Sequence, residues 1–133
     1  MALYEAEACG MSSAERRKVN VIGKKCSSSL VGVSRMNRVR NVEVRRRARI
    51  ERELASRADQ RVLRWFGHVE RMDDYRMARR VLMAEDSGGQ VRGGPRLGWM
   101  DGVKVALGNR GMTVEAARQC AKDRKAWRAL VHM

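Results

Sequence analysis

The strongest pattern in the chain runs from residue 41 to residue 72. Ile50, Leu54, Ala58, Val62, Trp65, Val69 and Met72 recur at steps of three and four. That spacing lines side chains up on one side of an α-helix. Arg45, Arg49, Arg52, Arg64 and Arg71 fall on the opposite side, so the pattern predicts a basic amphipathic helix. Arg47 and Arg61 lie near the apolar stripe, and the sequence allows a break near Arg47–Ile50 that leaves a short helix followed by a long one. On this reading Leu54, Val62, Trp65 and Val69 are core, and Phe66 sits at the edge of the stripe.

The flanking segments read as shorter helices. Ser12-Ser13-Ala14-Glu15 has the form of a capping box, a hydroxyl with Glu three positions on. The helix it opens places Val19, Ile22, Cys26 and Leu30 on one face. Gly23 and Ser27 to Ser29 weaken it, because Gly and Ser are poor helix formers, and Gly32 ends it. Asp73-Asp74 suits the first turn of another helix, which carries Met77, Val81 and Leu82 and stops around Glu85. Residues 86–98, with Gly88, Gly89, Gly93, Gly94, Gly98 and Pro95, read as a loop. Trp99, Val103, Ala106 and Leu107 mark a short helix closed by Gly108 and Gly111. Thr113 caps a last helix with Ala117, Cys120, Ala121, Trp127 and Val131 on one face. No segment alternates with period two. The expectation is an all-α fold, a small irregular domain of about five helices. It comprises a helical region over 1–85, a Gly/Arg/Pro loop over 86–98 and a C-terminal helical hairpin over 99–133. Trp99 and Trp127 complete the predicted core.

Composition adds a partner class. The 133 residues hold 29 basic and 15 acidic side chains, a net charge of +14. Only Lys18, Lys24, Lys25, Lys104, Lys122 and Lys125 are Lys, so most of the basic side chains are Arg. Arg forks onto phosphate through paired N–H donors and stacks on bases. The charge is clustered. Residues 34–64 hold 11 basic and 4 acidic side chains, and residues 91–133 hold 9 and 3. Clustering favours a polyanion over a merely solvated surface. Aromatics make up only 5%, which implies a modest core.

Catalytic chemistry finds little to work with. No Gly-rich loop is followed by Lys-Ser or Lys-Thr, and no Asp pair sits on a hairpin to hold two magnesium ions. Asp73-Asp74 reads as a helix start, since neighbouring helical side chains diverge. His68 and His132 are isolated, as structural histidines usually are. Cys9, Cys26 and Cys120 are few, odd in number and too far apart for a zinc site. They point to free thiols in a reducing intracellular compartment, nuclear or cytoplasmic. No apolar run approaches a membrane span, and Glu5 and Glu7 interrupt the apolar start, so no signal peptide is expected. No cofactor, metal or small-molecule substrate is expected. Residues 92–96, Arg-Gly-Gly-Pro-Arg, form a basic strip that is either a contact to phosphate through Arg92 and Arg96 or a plain connector.

Several of these stretches carry a family resemblance. Leu63-Arg64-Trp65-Phe66-Gly67-His68-Val69-Glu70-Arg71-Met72 resembles the "LRWFGHVxRM" stretch near the C-terminus of many non-LTR retrotransposon reverse transcriptases. Gly93-Gly94-Pro95-Arg96, Trp99-Met100-Asp101 and Asp123-Arg124-Lys125-Ala126-Trp127-Arg128 are similar to the Gly-Arg-Pro-Arg loop, the Trp-centred helix and the "DRxxWR" stretch that follow in that family. Ala2-Leu3-Tyr4 followed by Glu7 is similar to its "LYGxExW" stretch, in the thumb region after the palm. Departures are Glu5 for Gly, Cys9 for Trp, Gly94 for Arg and Gly102 for an acid, besides Gly23 and Ser27 to Ser29 within a helix usually richer in Leu and Arg. The family's catalytic Tyr-Ala-Asp-Asp is not in the sequence. The resemblance therefore implies a thumb and post-thumb role, holding RNA or DNA by its backbone without sequence specificity, and no polymerase activity. Arg45, Arg49, Arg52, Arg64, Arg71, Arg92 and Arg96 are the expected contacts. The rival expectation is an inert or protein-interaction fragment of a degenerate element.

Overall fold

The computed structural model describes residues 11–50, 52–84 and 98–132. Among them every regular element is helical, and none is a strand. The helices are α1 (Ser13–Leu30), α2 (Asn41–Arg47), α3 (Leu54–Glu70), α4 (Met77–Met83), α5 (Trp99–Gly108), α6 (Val114–Lys122) and α7 (Arg124–His132), with a 3-10 turn at Arg35–Asn37. They form two compact units, one on each side of the Ala58–Asp59 peptide. The loop expected at 86–98 lies, but for Gly98, outside the described residues. Helices from both sides of it share one core: Leu82 of α4 belongs to the same cluster as Val103, Ala106 and Leu107 of α5.

In the first unit α1 opens on its capping box. The Ser12 hydroxyl accepts from Glu15 N–H at 3.2 Å, and the Glu15 carboxylate accepts from Ser12 N–H at 2.8 Å. The backbone N–H of Ser12, and then its hydroxyl, hold the Glu15 carboxyl below its ordinary range. Gly32, in the left-handed region at φ +67°, follows the helix end. The buried side of α1 is not the expected one. Ile22, Cys26 and Leu30 are exposed, Leu30 at 77%, while Ser27 is buried. Small size explains the exchange. Gly23 lies against Leu54, whose Cδ1 would be 3.0 Å from a Cβ there. The Ser27 hydroxyl donates to the Gly23 carbonyl at 2.7 Å, which satisfies it inside the helix.

Asn20, on the same side, caps another helix. Its Oδ1 accepts from Ala55 N–H at 3.2 Å, and its Nδ2 donates to Glu53 at 2.9 Å. One of the orphan donors at the start of α3 is thereby satisfied from α1. Asn20→Ala should cost about 1 kcal/mol, the usual worth of such a cap. A lowered midpoint in chemical denaturation, with the helical signal otherwise kept, checks it.

The break that the sequence allows near Arg47–Ile50 is present, and the stretch forms a short helix and a long one. α2 ends at Arg47, and Arg49 takes the left-handed conformation at φ +52°, which no α-helix continues. Arg45, Arg49 and Arg52 therefore do not share a helix face with Arg64 and Arg71.

The second unit holds the main core. Val62, Leu63, Phe66 and Val69 of α3 pack with Met100, Val103, Ala106 and Leu107 of α5, Ala117 and Ala121 of α6, and Trp127 and Val131 of α7. Trp99 packs against this cluster from its margin. Leu54, in the first unit, is half-buried. Trp65 is 40% exposed and is not core, whereas Phe66 is fully buried. Trp65 and Phe66 both fit three-and-four spacing between Val62 and Val69. Leu63 decides between them, because the arc through Val62, Leu63 and Val69 is centred on Phe66 and leaves Trp65 at its rim. Phe66 sits between two rings, 5.7 Å from Trp127 and 6.3 Å from Trp99, tilted against each.

The last expected helix is also two. Thr113 caps α6 as foreseen, accepting from Ala116 N–H at 3.3 Å. Asp123, at ψ 110°, ends it and caps α7, its Oδ1 accepting from Lys125 N–H at 2.8 Å and Ala126 N–H at 3.3 Å. Asp73 and Asp74 precede α4 in a turn instead of starting it, and α4 begins at Met77 with Arg76 at its N-cap.

Candidate nucleic-acid interface

The kink at Asp123 aims α7 at α3. The Nε1 edge of Trp127 comes up against Gly67, where a Cβ would overlap the indole, and its Nε1–H donates to the Leu63 carbonyl at 3.1 Å. The absent side chain of Gly67 is what lets the ring reach the α3 backbone. Trp127 and Val131 face the core, and the adjoining edge of α7 turns Arg124, Arg128 and His132, one turn apart, toward solvent beside α3.

A groove of about 600 Å3 results. Arg64 of α3 and Arg71, just past its end, line one side, Arg124, Lys125, Arg128 and His132 of α7 the other, with Trp127 and Val131 at its floor. Among the described residues every charged side chain lining it is basic. Arg71 is anchored there: its Nη1 donates to the Ala121 carbonyl at 2.7 Å, near the C-terminus of α6 where backbone acceptors lack helical partners. Burial, and then the positive charge of Arg124, hold the Arg71 guanidinium below its ordinary pKa. An anion between Arg71 and Arg124 relieves that repulsion.

Glu70, the carboxylate next to this groove in sequence, is engaged elsewhere. Its side chain is 5% exposed and pairs with Arg79, and with Arg118 at 3.3 Å. Its charge is neutralised there and does not oppose an anion in the groove.

A second hollow, of about 360 Å3, lies along α3 between Arg61, Arg64, Trp65 and His68. Arg64 borders both. The Trp65 and His68 rings stand 5.4 Å apart at 50°.

The expected contacts of the first unit fare differently. Arg45 is bound to Glu53 at 3.0 Å, and Arg46 and Arg47 share Glu43, each at 3.0 Å. The hydrogen bonds from Arg47 and Arg46 hold the Glu43 carboxyl below its ordinary range. Arg49 is exposed and Arg52 half-buried. Arg92 and Arg96 lie outside the described residues. The structure thus joins Arg64 and Arg71, out of the five Arg of the expected helix, to a cluster on α7 that sequence reasoning did not single out. Arg124 and Arg128 were legible only as part of a family motif.

Among the described residues no group of three or more His, Cys, Asp or Glu side chains could hold a metal ion, and no helix is long and apolar enough to cross a membrane. Comparison with protein families, curated proteins and solved structures finds no match to this chain.

Proposed function

We propose that this chain binds nucleic acid by its phosphate backbone, without sequence specificity, along the groove between α3 and α7. The observation that carries the reading is the convergence of Arg64, Arg71, Arg124, Lys125 and Arg128, from segments more than fifty residues apart, on one groove whose charged lining is basic throughout among the described residues. Guanidinium groups spaced along a groove suit a chain of phosphates better than a single small anion. The motif resemblance points the same way, to the thumb and post-thumb region of non-LTR retrotransposon reverse transcriptases. On this reading the chain holds template, primer or target, and carries no polymerase chemistry of its own.

The test is the salt dependence of binding. Each phosphate contact releases condensed counterion, so log affinity against log salt falls by about 0.9 per contact on duplex DNA and about 0.7 on single strands. Changing Arg64, Arg124 and Arg128 together to Gln should make the slope shallower by those amounts for each contact removed. The helical dichroism should stay, because all three are exposed. Arg71 is left in place, since its bond to Ala121 is structural. An unchanged slope in a folded triple variant moves the interface elsewhere. No binding by the parent at low salt removes the proposal. A protein-interaction fragment is the second reading, favoured by the exposed Ile22, Leu30 and Met36 of the first unit. Retarded gel mobility with nucleic acid but no uptake of a hydrophobic dye argues against it.

A further inference from the structure

We propose that Trp65, backed by His68, is a stacking platform for an unpaired base, which makes the α3–α7 groove a single-strand site; the inference rests on the nucleic-acid reading above. Trp65 is the most exposed tryptophan among the described residues, at 40%, while its neighbour Phe66 is wholly buried. The exposed Trp65 ring offers a face on which a flat partner can stack and bury area. His68 lies 5.4 Å from it at an angle of 50°, which props the indole from one side.

Charge selects the partner. Arg61 and Arg64 flank the two rings around one hollow, and Arg64 also lines the phosphate groove. Residues 61, 64, 65 and 68 are linked by helical steps of three and four, and Arg71 follows His68 by three, just past the end of α3, so ring and guanidinium groups form one continuous ribbon. A strand whose phosphates follow Arg64 and Arg71 brings its bases within reach of Trp65. Basic side chains interleaved with an exposed aromatic are the two parts of a sequence-tolerant single-strand site. In a duplex the base faces are already stacked on each other, and Trp65 on a helix rim meets only backbone. An apolar protein partner fits less well, because two Arg border the ring.

Three probes separate the terms: an oligothymidylate, an abasic deoxyribose-phosphate strand with the same number of phosphates, and a duplex of the same length. The parent should bind the thymidine strand roughly 5- to 150-fold more tightly than the abasic one, the usual worth of one stacked base. Trp65→Ala should erase that preference and leave binding to the abasic strand and the duplex unchanged. Trp65→Phe should keep most of the preference, which separates lost stacking from lost folding. Equal binding of thymidine and abasic strands by the parent overturns the platform while the phosphate groove stands. So does a folded Trp65→Ala protein that keeps the preference. Failure to bind any of the three at low salt overturns the groove itself and the platform with it.

Discussion

Gly67→Ala should unfold the second unit or bring it close to unfolding. A methyl group there enters the space filled by the Trp127 indole. The ring must then move away from α3 and give up its hydrogen bond to the Leu63 carbonyl. Overpacking costs about 1–3 kcal/mol, and a buried N–H left without its acceptor about 1–3 more. Together these come to about 2–6 kcal/mol, comparable to the low end of a small domain's stability, about 5–15 kcal/mol. The ring also packs on Phe66 in the centre of the core, so the displacement spreads. Thermal or urea unfolding followed by helical dichroism reads the loss. A double-mutant cycle identifies its origin: in a Trp127→Ala background, itself about 3–5 kcal/mol less stable, Gly67→Ala should cost almost nothing further. A full, additive cost in that background would mean that Gly67 matters through the helix backbone and not through Trp127.

The second large effect belongs to Glu70. Its carboxylate is 5% exposed and Arg79 is 15% exposed, so the pair is shielded from solvent. The hydrogen bond that Arg79 donates to Glu70 raises the Arg79 pKa above its ordinary value, with a further contribution from Asp74. Asp74 is almost fully exposed and adds little to stability. Glu70→Gln keeps the shape but leaves the Arg79 charge unmatched in a shielded site, which costs about 3–5 kcal/mol when one partner of a buried pair is lost. Arg118, 43% exposed, can turn to water instead. Changing Glu70 and Arg79 together to Leu should restore most of the stability, because a buried pair replaced by apolar groups is often neutral. Equal losses in the single and double variants would show that the site depends on its hydrogen bonds and not on charge matching.

What was legible from sequence was local. Ser12 with Glu15, and Thr113, announce helix starts that need nothing beyond their own turn, and both form. The all-helical class follows from three-and-four spacing throughout. What failed depends on packing between distant segments. Trp65 and Phe66 satisfy the same spacing, and only the position of Leu63 in the core separates them. Asn20 looks like any polar surface residue until the start of α3 arrives beside it. The break between α6 and α7 gave no signal in the spacing, because Cys120 and Trp127 stand seven residues apart and share a face whether the helix is continuous or not. The basic groove was half legible. Arg64 and Arg71 stood out by their helix face, but Arg124 and Arg128 join them only through the seat of Trp127 on Gly67.

The apolar side of α1 has a colloidal consequence. Ile22 and Leu30 face solvent, as do Met36 and Val42 nearby in sequence, on a molecule whose net charge is +14. At low ionic strength mutual repulsion keeps copies apart. Salt shortens the reach of that repulsion, from about 10 Å at 0.1 M to about 3 Å at 1 M, but leaves attraction between apolar side chains intact. The salt that strips bound polyanion from the protein therefore also lets it cohere. Its solutions should be clearest at low salt, and cloud as concentration and ionic strength rise together.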